Sequence, residues 1–177
     1  MLKMHVRGEA GYEDALTALA RRGDADLEKV EPAARAILSE VRERGDAAIR
    51  DLTARFESRT QDHVAVPEAD WRAVAARCPA EVREKLAAAA ERIRRYHEHQ
   101  RDPGFQCEED GVLLGQRVRP VRAAGVYAPG GKARYPSTVL MTAVPAAVAG
   151  VERIVLATPR PTPEVLAAAE VAGVTEV

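Results

Sequence analysis

The strongest constraint on the fold is the segment 125–150, GVYAPGGKARYPSTVLMTAVPAAVAG, in which a short apolar run meets two glycines and then a long apolar stretch. The apolar start predicts a strand, and Gly130 and Gly131 predict a turn. Ser137 is expected to cap a helix that runs to about Ala149 and stops at Gly150. A second apolar run, 153–159, begins about 30 residues after the first, a spacing typical of a strand-helix-strand unit in a parallel sheet. The segment therefore predicts a parallel βαβ unit.

A strand that turns directly into a helix is suited to binding an anion. The first N–H groups of a helix lack partners and the helix dipole adds partial positive charge there, which favours a pyrophosphate. The segment lacks the G-x-G-x-x-G fingerprint, and it is not a P-loop because no Ser or Thr follows Lys132. Two interpretations stay open: a nucleotide-contacting loop, or glycines that only supply left-handed backbone for a tight turn.

Composition and charge exclude several classes of partner. The chain has 26 Lys and Arg against 27 Asp and Glu, a net charge of −1. It therefore lacks the excess of positive charge that is typical of proteins that bind nucleic acid. The longest uncharged stretch, 135–151, is interrupted by prolines and falls short of the roughly 20 apolar residues that a membrane span needs. With two cysteines, no C-x-x-C pair and no signal peptide, the sequence predicts a cytoplasmic protein.

Hydrophobic periodicity divides the chain into three regions. Residues 1–22 predict an N-terminal arm or helix, and residues 121–177 predict the start of a nucleotide-binding domain. Residues 23–120 predict a mostly helical region with a β-hairpin near 105–120, whose turn is expected at Glu109-Asp110-Gly111. Within the second region, Pro32 is expected at the start of a helix. The most regular helix is expected from Pro79 to about Gln100, with an apolar stripe made of Val82, Leu86, Ala89, Ile93 and Tyr96.

The C-terminal segment predicts a second helix and a third strand. Thr162 and Pro163 are expected to begin the helix, Val165, Leu166 and Ala169 to face the core, and Gly173 to end it. Residues 174–177 then resemble the opening of a third parallel strand that no helix covers. Because complete domains avoid exposed strands, we expect the N-terminal part of a longer protein, or a strand covered by a partner.

Histidines and cysteines give no metal motif. His97 and His99 are two apart, so on a helix they point about 200° away from each other, whereas histidines that share a zinc ion on one helix lie at i and i+4. They predict a solvated helix end. Cys78 is expected to be a small buried hydrophobe and Cys107 an ordinary thiol.

Several runs, in order, resemble the histidinol dehydrogenase family. They are PVRAAGVYAPGG at 120–131, YPSTVLMTAVPAAVAGV at 135–151 and IVLATP at 154–159, with GDAAIRDLTARF at 45–56 and IRRYHEHQ at 93–100 upstream. The resemblance is weakest before residue 24. Glu57 stands where the family usually has Asp, and because it lies at a helix end we expect little effect on the chemistry.

The resemblance implies an α/β protein in which a helical N-terminal region precedes an incomplete, Rossmann-like parallel βαβ sheet of aldehyde-dehydrogenase-like architecture. It also implies a homodimeric enzyme of histidine biosynthesis that depends on zinc and NAD. Such an enzyme oxidises L-histidinol to L-histidine through histidinal. Alternatives are a non-catalytic nucleotide- or phosphate-binding α/β module, and an interaction domain whose helices serve mainly to dimerise.

Site residues follow from the same resemblance. It implies that Tyr127 contacts NAD, that Pro129 and Gly130 neighbour the cofactor, and that Ser137 at the helix start is a further candidate. The zinc ligands and the Glu-His pair for acid/base catalysis lie in a later part of the family, so no catalytic or metal-binding residue is assigned here. Hydride removal from an alcohol needs a base for the hydroxyl proton and, in this family, a metal to hold the substrate. We therefore expect this chain alone to be inactive.

Overall fold

The computed structural model describes residues 3–21, 24–61, 63–130 and 134–177, and its fold is α/β, as predicted. Contacts divide the chain into two compact units, Met1–Val64 and Ala65–Val177. This division falls within the region 23–120, and the three predicted domain limits stay a prediction.

The elements in the described residues are α1 (Tyr12–Ala20), α2 (Asp24–Arg44), α3 (Asp46–Glu57), α4 (Glu68–Ala75), α5 (Ala80–Glu98), β1 (Phe105–Glu109), β2 (Val112–Gln116), β3 (Ala123–Tyr127), α6 (Pro136–Ala149), β4 (Arg153–Ala157) and α7 (Pro163–Ala172).

The unit Met1–Val64 consists of helices α1 to α3. Among its described side chains only Ala48 is buried, and α1 buries none. The expectation that Pro32 begins a helix is wrong, because α2 starts at Asp24 and continues through Pro32. A proline inside a helix removes one backbone hydrogen bond, but its fixed φ is itself helical, so the flanking turns can hold the helix together.

Strands β1 and β2 form the predicted hairpin. They pair antiparallel from Phe105 opposite Gln116 to Glu109 opposite Val112. The turn residues Asp110 and Gly111 have φ of 50° and 78°, the left-handed pair that a two-residue hairpin turn requires. The sequence Glu109-Asp110-Gly111 therefore marks the turn, as predicted.

Strands β3 and β4 pair in parallel, and α6 lies between them in sequence, which confirms the predicted βαβ connection. The predicted cap at Ser137 is wrong. Helix α6 begins at Pro136 with Tyr135 as N-cap and no side-chain capping bond, because proline at the first helical position sets the helical φ one residue earlier. Gly150 ends the helix with φ 89°, as predicted.

Helix α7 begins after Thr162 and ends at Gly173, as predicted, but the expected third strand is reduced to one parallel bridge, Val155 with Glu176. A side chain replaces a backbone group in the hydrogen bonds between this segment and β4. The Ile154 N–H donates to the Thr175 hydroxyl oxygen at 3.0 Å, so a threonine takes the place of a backbone acceptor. Arg153 then donates two bonds of 2.6 Å to the Glu176 carboxylate.

The core of the unit Ala65–Val177 lies where α6 and α7 pack together and against α5. Val165, Leu166 and Ala169 are buried, as predicted. The largest fully buried side chains of the unit are Trp71, Leu140, Ile154, Leu156, Val139 and Val144. No helix in the described ranges is long and apolar enough to cross a membrane.

Candidate functional site

Tyr127 is the last residue of β3, at the carboxyl end of the parallel pair, opposite Ala157. Its neighbours Val126 and Ala128 are buried, whereas its own side chain is 62% exposed. Successive residues of a strand point to opposite faces, so burial of Val126 turns the Tyr127 ring away from the core. Ligands of open parallel sheets bind outside the carboxyl ends of the strands. Tyr127 is therefore an accessible aromatic ring at this edge.

Pro129 and Gly130 follow in the loop after β3, and both are half-buried. A Cβ at Gly130 would lie 2.5 Å from the carbonyl oxygen of Pro159, so no other residue fits without a shift of the backbone. The φ of Gly130 is outside the left-handed region, so the interpretation that it supplies left-handed backbone is wrong. Close approach of the two loops is what requires glycine here. Gly131 lies outside the described residues.

Two helices begin at this edge, because α6 follows the loop after β3 and α7 follows the loop after β4. Each has proline at its first position, Pro136 and Pro163, and neither has a side-chain capping bond. Ser137, the second residue of α6, is exposed. The partial positive charges of both N-termini therefore face the same edge of the sheet.

Two arginines add positive charge to these loops. Arg134 precedes α6, Arg160 follows β4, and both are exposed. Arg160 has φ 46°, a conformation that is uncommon for a residue other than glycine and that is enriched at ligand sites. Arg160 is not among the residues predicted from the sequence. Its position between two prolines directly after a strand was the available signal.

No metal centre is present in the described part of the chain, where no group of three or more His, Cys, Asp or Glu could hold an ion. His97 Nδ1 lies 2.6 Å from Gln100 Oε1. Cys78 is buried, as predicted, and burial, together with the negative charge of Glu164, raises the pKa of its thiol. Cys78 is thus a poor metal ligand and nucleophile, and the described residues do not fit a zinc ion.

The sequence model of the family described as histidinol dehydrogenase matches residues 20–177. The chain belongs to the histidinol dehydrogenase family. It is 44% identical over 174 residues to the histidinol dehydrogenase of Bordetella parapertussis, covering 94% of this chain and 40% of the relative. It is 45% identical over 166 residues to that of Aquifex aeolicus, covering 93% of this chain and 39% of the relative.

A solved structure supports the same assignment. The crystal structure of histidinol dehydrogenase from Elizabethkingia anophelis matches with a TM-score of 0.74 and 27% sequence identity, covering 82% of this chain and 35% of that one. The chain thus spans about 40% of the length of the curated histidinol dehydrogenases named here.

Proposed function

We propose that this chain forms the NAD-contacting, N-terminal part of a histidinol dehydrogenase that oxidises L-histidinol to L-histidine through histidinal. Membership of the family supports the substrate and the reaction class. The exposed Tyr127 ring at the carboxyl edge of β3 and β4 supports the cofactor site, and it is the observation on which the proposal depends. The parallel βαβ unit at this edge supports a Rossmann-like arrangement of the incomplete sheet.

Each residue of the site has a role in the proposal. Tyr127 offers a flat aromatic surface to a ring of the dinucleotide, and Pro129 and Gly130 line the approach beside it. Gly130 also lets the two loops pack together, so it fixes the shape of the site through Pro159. The helix N-termini and the arginines Arg134 and Arg160 balance the negative charge of a pyrophosphate. Ser137 adds a hydroxyl donor at the start of α6.

The chemistry itself needs more than the described residues supply. NAD accepts the hydride that leaves the alcohol carbon. We propose that the zinc ion and the acid/base pair belong to other parts of the enzyme, since the described residues offer no metal site. The chain on its own is then inactive in histidinol oxidation. We also propose that the enzyme is a homodimer located in the cytoplasm, and the homodimer follows from the family resemblance.

Calorimetric titration of NAD into the chain tests the cofactor site. We expect Tyr127→Ala to weaken NAD binding by about tenfold, because stacking on an aromatic ring contributes roughly 1–3 kcal/mol. Tyr96→Ala is the matched control: Tyr96 is 64% exposed but lies on α5, so its variant keeps the affinity of the unmodified chain.

Three results would contradict the proposal. They are an unmodified chain that does not bind NAD, equal affinities in the Tyr127 and Tyr96 variants, and inorganic pyrophosphate bound as tightly as NAD. The last result favours the phosphate-binding module.

A further inference from the structure

A cavity of about 400 Å³ lies at the amino end of β3, within the unit Ala65–Val177. The end of α5, the linker between β2 and β3, and the last turns of α6 line it. Its volume lies within the roughly 300–1,000 Å³ that is typical of sites for small molecules. The five residues of β3 separate the cavity from the cofactor site by about 17 Å. This cavity is called the linker cavity below, and its polar lining is His97, Gln100, Arg101, Asp102 and Arg119.

The linker is held against the end of α6 and the start of β4. A Cβ at Gly150, which ends α6, would lie 3.5 Å from Cγ of Pro120. The Arg122 carbonyl oxygen accepts a hydrogen bond of 3.3 Å from the N–H of Arg153, the first residue of β4. The linker cavity therefore has a wall that the fold holds in place.

Two arginines bring positive charge to the linker cavity. Within the described ranges, the side chains of Arg101 and Arg119 form no ion pair or hydrogen bond with another residue. His97 Nδ1 lies 2.6 Å from Gln100 Oε1, which leaves Nε2 of His97 and the NH₂ group of Gln100 for a ligand. The cavity therefore offers more donors than its own residues use.

The negative groups beside these arginines already have donors. Asp102 is the one acidic residue in the described lining, and it accepts bonds from the Gly104 N–H at 2.8 Å and from Gln116 Nε2 at 3.3 Å. The last three carbonyl groups of α5 accept bonds from backbone N–H groups in the turn that follows. Neither Asp102 nor the helix end therefore accounts for the two arginines.

The rest of the lining is apolar. It includes Pro145 and Val148, which are half-buried on α6, and Val118 and Pro120 of the linker. Guanidinium groups match the oxygens of a carboxylate or a phosphate, whereas an apolar wall suits hydrocarbon. A ligand that fits both parts of the lining carries both characters.

We propose that the linker cavity binds a small organic anion. Its carboxylate or phosphate group contacts Arg101 and Arg119, and its apolar body packs on Pro145 and Val148. This site is separate from the cofactor site at the other end of β3, so either proposal can fail without the other.

Amide NMR titrations of the 177-residue chain with four probes test the ligand class. Benzoate and phenyl phosphate carry an anionic group on an apolar ring, whereas inorganic phosphate lacks the ring and benzyl alcohol lacks the charge. We expect benzoate or phenyl phosphate to bind saturably, at least about tenfold more tightly than the other two probes, with shifts at residues 97–102, 118–120 and 145–149. The tighter of the two identifies the anionic group. Saturating NAD is expected to leave this affinity unchanged.

Matched variants test the residues. Arg119→Gln is expected to weaken binding of the tighter probe by about tenfold, because hydrogen bonds to charged groups are the stronger class. Arg95→Gln is the control, since Arg95 is exposed on α5 outside the cavity and pairs with Glu91. Val118→Ser is expected to weaken binding by about threefold through lost apolar contact. Val121→Ser, on the same linker but outside the lining, is expected to leave it unchanged.

Several results would overturn this proposal. They are the absence of saturable binding by both benzoate and phenyl phosphate, displacement of the probe by NAD, and equal affinities in the Arg119 and Arg95 variants. Benzyl alcohol bound as tightly as benzoate would show a cavity that selects for apolar character alone. Inorganic phosphate bound as tightly as phenyl phosphate would show that the apolar wall takes no part, and either result contradicts the proposal.

Discussion

The two compact units differ in how their helices are stabilised. In Ala65–Val177, helices α5, α6 and α7 share a continuous core that includes Leu140 and Ile154. In Met1–Val64, Ala48 is the one buried residue among the described side chains, and exposed pairs such as Arg35 with Glu31, four apart on α2, link neighbouring turns. Exposed ion pairs contribute little to stability, whereas burial of apolar area is the main favourable term in folding. A periodic helical sequence therefore does not by itself indicate a stable core.

The largest expected effect comes from matched leucine truncations in the two units. Leu140 is 1% exposed and Leu38 is 55% exposed. Leu140→Ala is expected to lower the free energy of unfolding by about 2–5 kcal/mol through lost burial and a cavity, and Leu38→Ala by less than about 0.5 kcal/mol. Urea denaturation followed by circular dichroism measures both. Equal losses would show that the two units do not differ in this way.

An intermediate effect is expected at the ion-pair network of the second unit. Glu170 on α7 accepts a bond of 2.6 Å from Arg83 on α5 and one of 3.3 Å from Arg72 on α4. Arg83 also donates to the Ala75 carbonyl at 2.9 Å, so Arg83→Ala removes two contacts between helices. We expect a loss of about 1 kcal/mol in the free energy of unfolding.

Arg44→Ala is the control for this network. Arg44 is exposed and pairs with Glu40 and Asp51 in the first unit. Its variant is expected to leave the urea midpoint unchanged, and a larger shift from Arg44 than from Arg83 would reverse the comparison.

The smallest expected effect is a dependence of stability on pH, which arises from the ion pair between Arg153 and Glu176. The hydrogen bond from Arg153, and then its charge, lower the pKa of the Glu176 carboxyl below the ordinary 4.5. A lowered pKa in the folded state stabilises the fold above that ordinary value, and the contribution is lost as the pH falls through the lowered pKa. Glu176→Gln is therefore expected to be slightly less stable than the unmodified chain at pH 7, and the difference is expected to vanish in acid. A difference that grows in acid would contradict this.

Local signals predicted most of the fold. The glycines at 111, 150 and 173 end or turn elements where the sequence indicates, because positive φ is a property of the residue itself. Burial was harder to predict. Tyr96 shares the apolar stripe of α5 with the buried Leu86, yet it is 64% exposed, because periodicity identifies a face but not how far its partner helices extend.

The cofactor role of Tyr127 stays a prediction, which follows from the family resemblance and not from the local pattern. Strand alternation explains why its ring is exposed. The contact between Gly130 and Pro159 could not be foreseen, because the two loops are far apart in sequence and meet only through the parallel pairing of β3 and β4. The place of Arg160 in the candidate site depends on the same pairing of β3 and β4.

The central claim is that NAD binds at the carboxyl edge of β3 and β4. Backbone amide NMR of the chain, titrated with NAD, tests it most directly. We expect shifts that saturate and cluster at residues 126–130, 134–138 and 158–163. Shifts that cluster on α5 or on the β1–β2 hairpin, or no saturable shifts at all, would contradict it.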